Sequence, residues 1–126
     1  MESRHTVLIV EDDPSLRGVL SDKLQTEGFD VIEAGDGKTG LDIALREHPS
    51  CILLDIFMPR MDGISMLAQL RSSGPWGKHA TVIVLTNSTD AETIARATGL
   101  GATDFLVKSE WSLDDIVKKI GERIAP

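Results

Sequence analysis

Aromatic residues, cysteine and long apolar segments are all scarce in this chain of 126 residues. Tyrosine is absent and aromatic residues make up 4% of the chain, so the core must consist mainly of aliphatic side chains. The one cysteine, Cys51, cannot form a disulfide within the chain, which disfavours a disulfide-stabilised secreted domain. No apolar run approaches the roughly 20 residues that span a bilayer, and residues 1–6 have no apolar signal-peptide core. We therefore expect a cytoplasmic protein without a membrane segment.

Positively charged residues are also few compared with negatively charged ones. The chain has 13 Lys plus Arg against 20 Asp plus Glu, which gives a formal net charge of −7. Non-specific binding of nucleic acid is driven by clustered cations that neutralise phosphates, so this balance disfavours direct contact with nucleic acid. The 41% hydrophobic and 26% charged residues are typical of a soluble globular protein. The length corresponds to a single domain, residues 1–126.

Five short apolar runs predict five strands. They are residues 6–10, 30–34, 51–54, 81–85 and 103–107. The first, third and fourth runs are nearly continuous and rich in β-branched residues, as in strands that are buried on both faces of a parallel sheet. The second run alternates with polar residues, which favours a position at the edge of the sheet.

Amphipathic patterns after these runs predict five helices. Asp13 and Pro14 have the residue types preferred at the N-cap and the first position of a helix. Thr89 and Glu92 resemble a capping box that opens the fourth helix. Residues 72–79 follow no pattern and predict a loop. Strand and helix alternate five times, so we expect one doubly wound parallel sheet with helices on both faces and no further output domain.

Polar residues suited to phosphoryl chemistry follow four of the predicted strands. Glu11 and Asp12 follow the first, Asp55 the third, Thr86 the fourth and Lys108 the fifth. Ligands of open α/β sheets bind beyond the carboxyl ends of the strands. Clustered carboxylates repel one another unless a cation or a proton lies among them, and their hard oxygens suit Mg²⁺. A carboxylate can accept a phosphoryl group, so these residues indicate a Mg²⁺-dependent site with Asp55 as the phosphoacceptor.

Four segments together resemble the receiver domain of bacterial two-component response regulators. They are Val10-Glu-Asp-Asp-Pro14 with Arg17, Leu54-Asp-Ile-Phe-Met-Pro59 with Asp62-Gly63, Leu85-Thr86, and Gly101-Ala-Thr-Asp-Phe-Leu-Val-Lys108. The segments occur in the family's order and spacing over essentially the whole chain. The resemblance implies an α/β, flavodoxin-like fold in which a five-stranded parallel sheet has the strand order 2-1-3-4-5.

The resemblance also implies how the site works. Asp55 is expected to accept the phosphoryl group and Lys108 to contact it. The carboxylates of Glu11, Asp12 and Asp55, with the backbone carbonyl of Phe57, are expected to hold Mg²⁺. The donor is expected to be a sensor histidine kinase or a histidine phosphotransfer protein.

A conformational switch is a further implication of the resemblance. Thr86 is the expected switch hydroxyl, and Phe105 is the expected switch aromatic, which turns inward when Thr86 moves toward the phosphate. The signal is expected to pass to a downstream protein target. The face formed by the fourth helix, the fifth strand and the fifth helix is expected to contact this target, and the protein to be a monomer or a weak homodimer through this face.

Three positions depart from the family pattern. Ser109 follows Lys108 where the family usually has proline, which leaves the cis or trans state of this bond open. Asn87 replaces the usual small residue after the threonine. The loop before the fourth strand is longer than usual and carries Trp76, which marks either a contact surface or a lid on the core.

Two alternative functions stay open. One is a Mg²⁺-dependent phosphohydrolase with Asp55 as nucleophile, but such an enzyme usually has a general acid two residues later, where Phe57 cannot serve. The other is a pseudo-receiver that acts only as a binding module, which the intact acids and Lys108 disfavour. We expect a switch rather than an enzyme, although one that catalyses its own phosphoryl transfer and slow self-dephosphorylation.

Overall fold

Strands and helices alternate along the chain. The computed structural model describes residues 5–58 and 60–124, so Pro59, the last residue of the segment that begins at Leu54, lies outside the described residues. The strands are β1 (Thr6–Val10), β2 (Asp30–Ala34), β3 (Cys51–Leu54), β4 (Val82–Thr86) and β5 (Asp104–Val107). The helices are α1 (Pro14–Thr26), α2 (Gly37–Glu47), α3 (Gly63–Arg71), α4 (Pro75–His79), α5 (Ala91–Gly99) and α6 (Leu113–Ile124), with a 3₁₀ turn at Lys108–Glu110.

The five strands form one parallel sheet in the order β2-β1-β3-β4-β5, which confirms the expected order. Val10 of β1 pairs with Leu54 of β3, and Thr86 of β4 pairs with Val107 of β5. β2 lies at an edge, as its alternating pattern predicts. The residues that directly follow these pairs therefore lie side by side at the carboxyl edge of the sheet.

Alternating strand residues build a core on each face of the sheet. Toward α2, α3 and α5, the buried strand residues are Leu8, Val10, Ile52, Leu54, Val82 and Val84. Toward α1 and α6, they are Val7, Ile9, Cys51, Leu53, Ile83, Leu85 and Leu106. Burial on both faces explains why the runs of β1, β3 and β4 are continuously apolar. Within residues 5–58 and 60–124, no helix combines the length and the apolar content needed to cross a membrane.

The prediction that residues 72–79 form a loop was wrong. They contain the short helix α4, whose five residues are too few to show a helical period. Trp76 of α4 stacks on the ring of His48 with 4.2 Å between the ring centroids, and it is half-buried against the core. Trp76 therefore serves as a lid on the core, which is one of the two interpretations that the sequence allowed.

The capping box predicted for the fourth helix was also wrong. The N-cap of α5 is Asp90, whose carboxylate accepts hydrogen bonds from the backbone N and the Oγ1 of Thr93 at 3.0 and 2.9 Å. Aspartate is a stronger N-cap than threonine, so Asp90 takes the role predicted for Thr89 with Glu92. In α5, which the structure describes completely, only Ala97 is buried.

Candidate functional site

Three carboxylates meet at the carboxyl edge of the sheet. Glu11 and Asp12 directly follow β1, and Asp55 directly follows β3, where its backbone N donates to the carbonyl of Val10 at 3.0 Å. One oxygen from each of the three carboxylates lies within 4.8 Å of the other two. Glu11 and Asp55 are buried, while Asp12 is exposed. The fold therefore brings together the three acids that the sequence predicted as metal ligands.

The donor set of these three acids fits a hard divalent cation. Mg²⁺ takes oxygen ligands at about 2.0–2.1 Å in octahedral geometry, which places neighbouring ligand oxygens about 3 Å apart and opposite ones about 4 Å apart. The three oxygens lie within 4.8 Å of one another, so the three acids form a group suited to hold one such cation. The exposed side of the cluster, at Asp12, is open to the water molecules that Mg²⁺ usually retains.

The ammonium of Lys108 neutralises part of the charge of this cluster. Its Nζ lies 2.7 Å from an oxygen of Glu11 and 3.3 Å from an oxygen of Asp55. Lys108 directly follows β5 and begins the 3₁₀ turn. The bond between Lys108 and Ser109 is trans, so the lysine reaches both acids without a proline after it.

The pKa values of Glu11 and Lys108 are both raised, for different physical reasons. Burial raises the pKa of the Glu11 carboxyl, and the hydrogen bond from Lys108 offsets this effect only in part. Burial lowers the pKa of the Lys108 ammonium, but its hydrogen bonds to Glu11 and Asp55 and their negative charges outweigh burial, so the pKa is raised. The site thus favours an added positive charge.

Asp13 and Arg17, the other charged residues of the first motif, have different roles from the ligand acids. Asp13 accepts a hydrogen bond from the backbone N of Ser15 at 2.9 Å, which confirms it as the N-cap of α1. Arg17 donates to the backbone carbonyl of Glu11 at 2.8 Å and to the carboxylate of Glu33 in β2 at 3.2 Å. The sequence pattern assigned Arg17 no role, and its partner in β2 becomes visible only in the fold.

The predicted switch residues lie on neighbouring strands. Thr86 is buried at the end of β4, and its Oγ1 accepts a hydrogen bond from the backbone N of Ser88 at 3.4 Å. Phe105 pairs with Val84 and is half-buried against the core on the side of α5. Since strand residues alternate between faces, Thr86 lies on the same side of the sheet as Phe105.

The loop between β3 and α3 begins beside Asp55 and closes tightly at Gly63. The backbone N of Gly63 donates to the carbonyl of Ile56 at 2.7 Å. A Cβ at this position would lie 2.3 Å from the carbonyl oxygen of Asp55, so only glycine fits. Asp62 caps α3, which explains the Asp-Gly pair of the motif. Phe57, in the same loop, has 61% of its surface exposed.

The site residues lie within a sequence region that matches a known family. The response regulator receiver domain family matches residues 7–121. The chain belongs to this family. The receiver domain is similar to the chemotaxis protein CheY4 of Vibrio cholerae, with a TM-score of 0.87 and 30% identity over 97% of this chain and 99% of that protein. It is also similar to a CheY-like receiver domain protein of Methanospirillum hungatei, with a TM-score of 0.89 and 25% identity over 97% and 94% of the two chains.

Curated relatives of the receiver domain include longer regulators. The transcriptional regulatory protein PdtaR of Mycobacterium tuberculosis is 34% identical over 115 residues, which cover 90% of this chain and 54% of the relative. The probable transcriptional regulator ycf27 of Porphyridium aerugineum is 35% identical over 105 residues, which cover 83% of this chain and 42% of the relative. The receiver domain therefore spans about half the length of these relatives.

Proposed function

We propose that this receiver domain is a phosphoacceptor switch that is phosphorylated on Asp55. The observation that supports the proposal is that the buried Asp55 carboxylate lies close to the acids Glu11 and Asp12 and within 3.3 Å of the ammonium of Lys108. A carboxylate oxygen of Asp55 forms the new P–O bond while the P–N bond of the donor breaks, and the donor imidazole keeps the electron pair. The donor is the phosphohistidine of a sensor histidine kinase or of a histidine phosphotransfer protein.

The charged groups around Asp55 have complementary roles in this proposal. When bound, Mg²⁺ supplies positive charge that neutralises the transferred phosphoryl group. Glu11, Asp12 and Asp55, with the carbonyl of Phe57, are its ligands. Lys108, which already contacts Asp55 at 3.3 Å, donates a hydrogen bond to a phosphoryl oxygen once the phosphorus is bonded to the Asp55 carboxylate.

The phosphorylated state signals through α5, β5 and α6. The Thr86 hydroxyl moves toward the phosphoryl group, Phe105 fills the space that it leaves, and α5 repacks. The support for this step is that α5 buries only Ala97, so few contacts resist a shift of the helix. This face binds the downstream protein target in the cytoplasm, or it forms a weak contact between two copies of the chain. Trp111, half-buried with the Lys119 ammonium 5.8 Å from its ring centroid, is part of it.

Phosphorylation by a small acyl phosphate tests the function directly. We expect the wild type to gain one adduct of about 80 Da in intact-mass spectra when both donor and Mg²⁺ are present. Asp55→Asn should abolish the adduct, and the matched variant Asp13→Asn should keep it, because Asp13 caps α1. Repeated release of phosphate without an accumulated adduct would instead identify a phosphohydrolase. A protein that neither gains the adduct nor turns over donor would be a binding module.

A further inference from the structure

The loop that follows Asp55 is held at a second point, Met61, two residues before its closure at Gly63. The backbone N of Gly37, the first residue of α2, donates to the carbonyl of Met61 at 3.1 Å. The first N–H groups of a helix have no partner within the helix. The loop therefore satisfies a donor of α2, and α2 in return holds the loop.

Gly37 is required at this contact for space. A Cβ on Gly37 would lie 2.1 Å from the carbonyl oxygen of Met61 and 2.9 Å from its carbonyl carbon. The φ angle of Gly37 is not among the positive values of the described chain, so the backbone conformation itself is accessible to alanine. Because the obstacle is backbone rather than a flexible side chain, a methyl group at residue 37 must displace the loop.

An ion pair joins the same two segments. Nη1 of Arg60 lies 3.2 Å from the carboxylate of Asp36, whose side chain is 13% exposed. Arg60 has a φ of 69°, in the left-handed region that is unfavourable for residues other than glycine. The Asp36 carboxylate also caps α2 by accepting a hydrogen bond from the backbone N of Thr39 at 2.8 Å. Asp36 thus fastens the start of α2 and the left-handed part of the loop together.

We propose that Asp36, Gly37 and Arg60 form a clamp that positions the loop between β3 and α3 and thereby sets the affinity of the acidic site for Mg²⁺. This loop begins at Asp55 and contains both Phe57 and Met61. A displacement at Met61 therefore alters the backbone that presents the Phe57 carbonyl. The clamp residues are positioning residues, since they act on the site through the loop. The proposal rests on the proposed function, which makes this carbonyl a ligand.

A calorimetric Mg²⁺ titration of Gly37→Ala tests the clamp. We expect the Kd for Mg²⁺ to rise about tenfold, the size of effect seen when groups that support metal ligands are altered. Gly121→Ala in α6 is the matched control, because a Cβ at Gly121 meets no atom within 4 Å. In phosphorylation by acyl phosphate, the half-saturating Mg²⁺ concentration of Gly37→Ala should rise while the rate at saturating Mg²⁺ stays close to that of the wild type. A lower saturating rate with unchanged half-saturation would overturn the positioning role.

Asp36→Asn provides a second test that does not depend on the folding of Gly37→Ala. Asparagine is as good an N-cap as aspartate, so the cap of α2 persists while the charge that faces Arg60 is removed. Because Arg60 is largely exposed, we expect a rise in Kd of only about two- to threefold, with an unchanged free energy of unfolding. Wild-type Mg²⁺ affinity in both variants would refute the clamp and leave the proposed function standing. A wild type that neither binds Mg²⁺ nor depends on it for phosphorylation would instead refute the proposed function.

Discussion

Lys108 lies closer to Glu11 than to Asp55, with Nζ–oxygen distances of 2.7 and 3.3 Å. Two buried carboxylates thus share one ammonium, and the stronger contact is made by the acid that is not the proposed acceptor. The other carboxylate oxygen of Asp55 accepts a hydrogen bond from the backbone N–H of Ile56 at 2.8 Å. Among the described residues, this is its only hydrogen bond. Glu11 therefore supports the site by holding the lysine beside the acceptor.

The first prediction concerns the pH dependence of stability at Glu11. Burial raises the folded-state pKa of Glu11 above its ordinary value of 4.5. Its contribution to stability is fully present below the unfolded pKa and is lost as pH rises through the folded pKa. Urea unfolding without divalent cations, from about pH 4 to about pH 7, should show that Glu11→Gln becomes more stable relative to the wild type as pH rises. Glu110→Gln, an exposed position, controls for the loss of a negative charge, and a relative stability that falls with pH would contradict the prediction.

The second prediction separates the neighbouring acids Asp12 and Asp13. Asp12→Asn should weaken Mg²⁺ binding strongly and block phosphorylation, since Asp12 is one of the three clustered acids. Asp13→Asn should lower the free energy of unfolding by less than about 2 kcal/mol, because Asp13 caps α1. Calorimetric Mg²⁺ titration and urea unfolding of both variants measure the two effects. Equal losses of Mg²⁺ affinity would show that the assignment is wrong.

The third prediction concerns how long the phosphorylated state lasts. Hydrolysis requires a water molecule in line with phosphorus, opposite the Asp55 oxygen. Phe57 lies two residues beyond the acceptor with 61% of its surface exposed, and its phenyl ring offers water no hydrogen bond. We expect Phe57→Asn to lose phosphate faster than the wild type in excess Mg²⁺ after donor removal. Equal or slower decay would mean that Phe57 does not set the lifetime, and the exposed Asn87 would become the next residue to test.

The fourth prediction tests the switch at Thr86. Thr86→Ala should still be phosphorylated but should lose most of the conformational change, because the variant lacks the hydroxyl that moves toward the phosphate. Hydrogen exchange of residues 87–110, with and without a phosphoryl mimic, measures the change. Thr86→Ser, which keeps the hydroxyl, is the matched control and should respond like the wild type. A full response in Thr86→Ala would refute the coupling.

The fifth prediction concerns a stabilising arginine near the amino ends of β4 and β5. Arg71 of α3 donates hydrogen bonds of 2.8 Å to four backbone carbonyls near the ends of α4 and α5, those of Gly77, Ala80, Leu100 and Gly101. Arg71→Met should lower the free energy of unfolding by about 2–3 kcal/mol, because partly buried carbonyls lose a charged donor. Arg71→Lys should lose less, and exposed Arg46→Met should stay within about 0.5 kcal/mol of the wild type. Urea unfolding decides whether Arg71 has this role.

The strands could be predicted closely because burial on both faces of a sheet leaves a continuous apolar signal. The predicted boundaries of β1, β2 and β3 agree with the structure, and β4 begins at Val82, one residue later than predicted. The predictions that failed concern short segments, where the sequence pattern is weak or two neighbouring residues can take the same role. α4 is too short for a period, and Asp90 displaces Thr89 as a cap because it is the better acceptor and lies next to the helix.

Local sequence also determined which chemistry is present at the acidic site. Glu11 follows β1 with Asp12, Asp55 follows β3 and Lys108 follows β5. Parallel strands bring their carboxyl ends to one side of the sheet, and the strand order places β1 beside β3, so the meeting of these residues could be predicted once the strand order was expected. Only the tertiary structure decided which partner each group selects. Lys108 lies closest to Glu11, Arg17 donates to Glu33, and the backbone N of Gly37 donates to Met61, because these contacts join segments whose separation depends on how helices and loops pack. Burial and distance, which set the pKa values and the space at each glycine, exist only once the chain has folded.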